Sequence, residues 1–178
     1  MMAKTPALGK EGPNFENLPG TDGKSYSLSS FGDKQILVLV FMGNGCPTCK
    51  ATEERLFSIQ SDYGKAGVQV VAVNSNNAAI SPQDTVEEMR TRARERKYPF
   101  PYLKDDGAML ARLIGARTTP HAFILDRSRR LRYRGRVDNA RQKHLITVHD
   151  VRLALDDLIA GTDVEVPDTD SFGCGIVW

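Results

Sequence analysis

Cysteine, histidine and tryptophan are scarce in this chain: three, three and one among 178 residues. Three cysteines are too few to staple a secreted disulfide scaffold. They suit a reducing compartment in which one pair does chemistry. Long apolar runs are missing as well. A membrane-crossing helix needs about 20 consecutive apolar residues, and no stretch comes near that, so no membrane partner is expected. The opening Met1-Met2-Ala3-Lys4-Thr5-Pro6 lacks the apolar centre of a secretory signal, which makes a cytoplasmic location the expectation. An excess of one charge is also absent. A net charge of +2 does not by itself suggest a nucleic-acid binder, and no nucleic-acid partner is expected. Internal repeats and low-complexity segments do not occur. What remains is a chain long enough for one domain with a substantial core.

Within it, Cys46-Pro47-Thr48-Cys49 carries the chemistry because of its neighbours. Before it lies Gln35-Ile36-Leu37-Val38-Leu39-Val40-Phe41-Met42, an apolar run that reads as a fully buried strand. After it lies Lys50 to Ile59, which reads as a helix. Two cysteines opening a helix at a strand-to-helix turn are the arrangement of a redox dithiol. Positions i and i+3 share one helix face, so the sulfurs can close a disulfide with little backbone movement. The ring is so small that the bond removes little entropy from the unfolded chain, which makes it a weak staple and a usable switch. Unpaired amides and the positive dipole end at a helix N-terminus favour thiolate, the attacking species in exchange. Cys46, nearer the loop and water, is therefore read as the nucleophile, and Cys49, one turn inside, as the resolving thiol. Pro47 suits a first turn. A zinc half-site is one alternative, but it needs two more ligands. Cys174, His121, His144 and His149 supply no second paired motif, and neither a metal nor another cofactor is expected. A pair of inert core cysteines is the other.

Along the rest of the chain, residues 1–14 read as an irregular arm. Phe15 to Leu28 reads as a hairpin turning at Gly20-Thr21-Asp22-Gly23. The helix after the dithiol should end near Gly64 or Gly67, and Val68 to Asn74 is a second buried strand, making a right-handed βαβ unit. Ser81-Pro82-Gln83-Asp84 predicts a helix start, running to about Lys97, with Val86 and Met89 as a narrow buried stripe. A short strand at Phe100–Leu103, a helix at Ala108–Ile114 stopped by Gly115, and a hairpin from Arg117 to Val137 follow. Thr147 with Asp150 should cap a last helix, Val148 to Ala160, ended by Gly161. The tail, 162–178, reads as irregular.

On Cys46-Pro47-Thr48-Cys49 at the turn, Thr119-Pro120 before an apolar strand, and the opening Phe15…Gly23-Lys24…Leu28 hairpin, the chain resembles the thioredoxin superfamily. More narrowly it resembles the redoxin branch, which holds alkyl hydroperoxide reductase/thiol-specific antioxidant relatives and bacterial thioredoxin-like thiol–disulfide oxidoreductases. The resemblance covers about Phe15 to Gly161. It implies an α/β thioredoxin-like fold: a central mixed sheet flanked by helices, here with the N-terminal hairpin and an extra crossover helix. The implied division is an arm at 1–14, a redoxin domain at 15–161 and a tail at 162–178. It also implies a cis Thr119–Pro120 bond facing the dithiol, with Thr119 and Pro120 binding substrate, and disulfide exchange between a protein or small-molecule disulfide and an external thiol reductant.

The pattern is not complete. Many thioredoxins carry a buried acid six residues before the nucleophile, where this chain has Val40. Proton transfer from Cys49 then falls to water, to Glu53 or Glu54, or to nothing dedicated, and a surface glutamate normally serves solvation. Gly43-Asn44-Gly45 replaces the usual tryptophan-bearing approach, and an open, mobile loop is expected there. Peroxiredoxin-type relatives place a threonine three residues before their reactive cysteine, where this chain has Gly43. That departure favours exchange over the alternative, a thiol peroxidase. A thioredoxin-fold binding module without redox turnover is the third reading. His121 either reaches the dithiol or points away from it. Cys174 is either a third redox thiol on the tail or a small packed residue between glycines. Arg130, Arg132, Arg134 and Arg136 form one face of a strand, either solvated or open to an anionic partner.

Overall fold

The computed structural model describes residues 4–178. Its centre is a five-stranded mixed sheet whose neighbours run in the order Tyr102–Lys104, Val68–Asn74, Ile36–Phe41, His121–Leu125 and Leu131–Gly135. In chain order, the short hairpin β1 (Leu18–Pro19) and β2 (Ser25–Tyr26) comes first, then β3 (Ile36–Phe41), α1 (Pro47–Tyr63) and β4 (Val68–Asn74). Next are α2 (Val86–Glu95), β5 (Tyr102–Lys104), α3 (Met109–Ile114), β6 (Thr118–Thr119), β7 (His121–Leu125) and β8 (Leu131–Gly135). The chain closes with α4 (Asp150–Ile159) and β9 (Cys174–Gly175).

Strands β3, β4 and β5 run parallel, and β7 returns antiparallel against β3. All six residues of β3 are buried, because both faces of the sheet are covered. Val38, Val40, Val70, Ala72, Ala122 and Ile124 face the layer that contains Cys46, Cys49 and Leu56 of α1 and Val151 and Leu155 of α4. Leu37, Leu39, Phe41, Val71, Val73, Phe123 and Leu125 face the other, with Phe31 and the α3 residues Leu110, Ala111 and Ile114. Double-sided burial is why these strands read as continuous apolar runs rather than alternating ones. Gly67, at φ +84°, turns the chain from α1 into β4, a conformation glycine adopts without penalty.

Four local expectations change. The Ser81-Pro82 start gives only a 3-10 turn, Pro82–Asp84, and α2 begins at Val86 under a Thr85 cap whose hydroxyl accepts from the Glu88 amide at 3.2 Å. Asp84 is drawn into a buried polar cluster instead of serving a helix. At α4, His149 occupies the cap position without a capping hydrogen bond, since the Thr147 hydroxyl is taken by the Asn139 amide at 2.7 Å. The tail is not wholly irregular: β9 pairs antiparallel with β6. Nor is the β8 edge a bare arginine face. The Arg134 amide donates to the Pro167 carbonyl and Thr169 donates back to Arg134, while Leu131 exchanges bonds with Gly9 and Lys10. Three of its arginines are paired: Arg132 with Asp126 and Asp163, Arg134 with Asp168, and Arg136 with Asp150. The fourth, Arg130, donates to the Gly9 carbonyl. Carboxylates of the hairpin turn, of α4 and of the tail thus pair three of these four arginines.

Candidate active site

Helix α1 begins where β3 leaves the sheet, so its first turn stands at the carboxyl end of the parallel strands. Cys46 is its cap residue, with Pro47 in the first turn. The Cys46 sulfur accepts from the Cys49 amide at 3.3 Å. It also lies 3.2 Å from the carbonyl oxygen of Thr119, 73 residues away, across a cis Thr119–Pro120 bond. The structure therefore brings Cys46, Cys49, Thr119 and Pro120 together.

Both cysteines are buried, Cys49 the more deeply. Cys46 is 6% exposed and Cys49 1%. Hydrogen bonding from the Cys49 thiol, reinforced by Thr119, Cys174 and the Cys49 amide, holds the Cys46 thiol down to about 4 against the opposing effect of burial. The Thr119 carbonyl is an acceptor and favours the protonated form, but the donors aimed at the sulfur outweigh it. Burial drives the Cys49 thiol well above its ordinary range, and the neighbouring Cys46 adds to that. One thiolate beside one firmly held proton is the asymmetry an attacking and a resolving thiol require. Among the described residues no group of three or more histidine, cysteine or acidic side chains converges to hold a metal ion.

The loop before Cys46 is closed, not open. Asn44 is buried, and its amide donates to Asp84 Oδ1 at 2.8 Å and its side chain to the Gln83 carbonyl at 2.9 Å. The Tyr102 hydroxyl donates to Asn44 Oδ1 at 2.8 Å. A side chain at Gly45 would collide with the Gln83 amide. Asp84 also accepts from Asn74 at 2.8 Å, Ser81 at 2.6 Å and Asn76 at 3.2 Å. Burial alone would raise its carboxyl; these bonds outweigh burial and hold it below the usual carboxylate range. Lys104, 3% exposed, donates to the carbonyls of Asn76 and Asp84. Sequence reasoning missed this network. Its signal was a lysine and three polar residues, Asn74-Ser75-Asn76, at the ends of apolar strands.

Glu53 is not a surface glutamate. It is 1% exposed and ion-paired with Arg92 of α2, and its second oxygen, Oε2, makes no hydrogen bond among the described residues. The crossover carrying α2 covers that face of α1, which turns a nominally solvated position into an interior one. Glu54 does stay exposed, near Arg96 at 3.4 Å. His121 points away from the dithiol. Its ring packs on Phe123 at 4.5 Å between centroids, on the opposite sheet face, and its Nδ1 accepts from the Arg117 amide at 3.2 Å. Burial, together with Arg117 and Arg134, pulls its pKa down to about 4. Cys174, half-buried on β9, is paired with Thr119, whose carbonyl meets Cys46, and the neighbouring Cys46 sulfur drives the Cys174 thiol up to about 11.

Sheet order, the cis proline and a helix-capping dithiol define a thioredoxin-like protein. The chain belongs to the redoxin family, whose model matches residues 7–155. It is 25% identical over 118 residues to the thiol-disulfide oxidoreductase ResA of Halalkalibacterium halodurans, covering 66% of this chain and 62% of that protein. It is also 25% identical over 128 residues to the chloroplastic peroxiredoxin Q of Triticum aestivum, covering 68% of this chain and 55% of that one. The chain thus spans about three fifths of the length of these curated relatives. Among solved structures, a hypothetical protein of Sinorhizobium meliloti 1021 superposes at a TM-score of 0.90, with 36% identity over 99% of this chain and 97% of that one.

Proposed function

We propose that this redoxin is a thiol–disulfide oxidoreductase working through Cys46 and Cys49. The observation that carries the reading is the geometry of the pair: the Cys46 sulfur caps α1, accepting from the Cys49 amide at 3.3 Å and lying 3.2 Å from the Thr119 carbonyl, with Cys49 buried one turn behind it. The opposed protonation, Cys46 held down to about 4 and Cys49 pushed well up, agrees with it. The Cys46 thiolate attacks one sulfur of a substrate disulfide, forming a mixed disulfide and releasing the other half as a thiolate. Cys49 then attacks the Cys46 sulfur; its proton goes to the departing substrate thiolate, and a Cys46–Cys49 disulfide remains. An external thiol reductant resets the pair. Thr119 and Pro120 line the approach to Cys46 and bind the substrate, which is a protein or small-molecule disulfide. The ResA likeness is consistent with this chemistry.

A peroxidase reading draws on the peroxiredoxin Q likeness, because any reachable low-pKa thiolate reacts with peroxide. It is the weaker one. Gly43 offers no hydroxyl beside Cys46, and a side chain there would press on Asn76. The test is model-disulfide reduction: Cys46→Ser should abolish it, and Cys49→Ser combined with Cys174→Ser, which leaves Cys46 no second thiol, should trap a mixed disulfide. Undiminished activity in Cys46→Ser would remove the mechanism. Peroxide consumption with a thiol donor should be no faster than that of free cysteine.

A further inference from the structure

The strand edge beside Cys46 is already occupied by the chain's own tail. In the β6–β9 pair, Thr119 stands opposite Cys174 and Thr118 opposite Gly175. The tail is pinned on both sides of that point: before it, the Thr118 hydroxyl donates to Ser171 Oγ at 2.8 Å. The Ile176 amide donates to the Arg117 carbonyl at 3.1 Å, the Val177 amide to Asn76 Oδ1 at 2.9 Å, and the Asn77 amide to the Val177 carbonyl at 2.7 Å. Ile176 is 6% exposed, seated in the apolar layer of Phe41 and Phe123. Gly173, at φ +139°, passes so close to the Thr119 carbonyl that any Cβ would collide with it. A strand held this firmly, with its cysteine paired to Thr119, the residue whose carbonyl lies 3.2 Å from the Cys46 sulfur, is laid out as an extended disulfide substrate would be.

We infer that the tail is a tethered substrate strand, and that Cys174 is a third exchange thiol which takes the bond from Cys46 before Cys49 does. This deepens the exchange reading and rests on it. With a small disulfide RSSR, the Cys46 thiolate forms Cys46–S–S–R and releases RS⁻. Cys174 attacks the Cys46 sulfur, giving a Cys46–Cys174 disulfide, and its proton leaves with RSH. Cys49 attacks the same sulfur, giving the Cys46–Cys49 disulfide and returning Cys174 as a thiol. Each step breaks one S–S bond and makes one. Cys174 precedes Cys49 for a physical reason. Cys174 stands half-buried on the tail strand, where water can take its proton, while Cys49 is 1% exposed inside the helix. The Cys46 hydrogen bond that holds Cys174 protonated is lost once Cys46 enters a mixed disulfide. What holds Cys49 protonated is first its burial, which persists.

The full-length Cys49→Ser chain, reduced and treated with one equivalent of 2-hydroxyethyl disulfide, is quenched in acid and mapped by mass spectrometry. The expected product has lost two hydrogens, links the Cys46 and Cys174 peptides and retains no hydroxyethylthio group. Adding Gly173→Val, which lifts the tail, should make the adduct on Cys46 accumulate at least tenfold. A lasting adduct on Cys46, with Cys174 free to alkylate, overturns the inference and leaves the exchange reading intact. No adduct and no link overturns both. A second arm uses otherwise native protein, so that it does not depend on Cys49→Ser folding. There Cys174→Ser should slow formation of the Cys46–Cys49 disulfide about tenfold, and an unchanged rate overturns the proposed order.

Discussion

At Cys46 the ionised sulfur has donors around it that a free cysteine lacks, and this sets a measurable midpoint. Above about 4 the side chain is thiolate and below it thiol. Alkylation of the reduced protein by iodoacetamide should therefore rise through a midpoint near 4 rather than near the unperturbed value of about 8.5. A midpoint above neutrality would sink the assignment. His121 gives the opposite kind of dependence. Its folded pKa, about 4, lies below the unfolded value of about 6.5. Its contribution to stability is complete above the unfolded value and is lost as pH falls through the window to the folded one, because only the unfolded chain takes up the proton. Urea midpoints from pH 7 to pH 4 should fall less steeply in His121→Gln. At Glu53, removing its partner leaves a buried carboxylate uncompensated. Arg92→Ala should cost about 3 kcal/mol, whereas Arg96→Ala, beside exposed Glu54, should cost less than about 1 kcal/mol. Equal losses in urea unfolding would mean that Glu53 is solvated after all.

Among the elements, those with a strong local period were the legible ones. Strand β4 falls where its apolar run predicts, α1 starts at Pro47 and stops at Gly64, and α3 stops at Gly115. Helix starts that depend on a competing partner were not legible. Ser81-Pro82-Gln83-Asp84 has every local sign of a cap, yet Ser81 donates to Asp84 Oδ2 and Asp84 serves Asn44, Asn74 and Asn76. The same network closes the loop that Gly43 and Gly45 would otherwise leave free. Asp84→Ala leaves several buried donors without an acceptor, at about 1–3 kcal/mol each before relaxation, so a net loss of about 3 kcal/mol is expected. Hydrogen exchange at the Asn44 amide should accelerate by more than the global loss accounts for. Exchange that tracks global unfolding alone would show that the loop is held by something else.

For the whole molecule, the tail is the element whose role the sequence concealed. It covers the β8 edge, answers Arg134 with Asp168, bonds Tyr133 through Thr169 and lies across Cys46. A chain ending at Glu165 should unfold at lower urea, by more than about 2 kcal/mol in view of the hydrogen bonds lost. Its Cys46 should alkylate faster at neutral pH than in the full chain. An unchanged alkylation rate would show that the tail does not shield the thiol.

The sequence by itself determined the strand–dithiol–helix unit and the presence of Thr119-Pro120, because apolar runs, helix starts and i,i+3 proximity are local properties. Only the tertiary structure decided that Glu53 is interior, that the loop before Cys46 is tied down, that His121 faces away and that Cys174 pairs with Thr119 beside Cys46. Those outcomes rest on contacts such as Arg92 with Glu53, Asp84 with Asn44 and Thr119 with Cys46, separated by 39, 40 and 73 residues. No local period encodes a pairing at that range; it follows from which elements the sheet brings side by side.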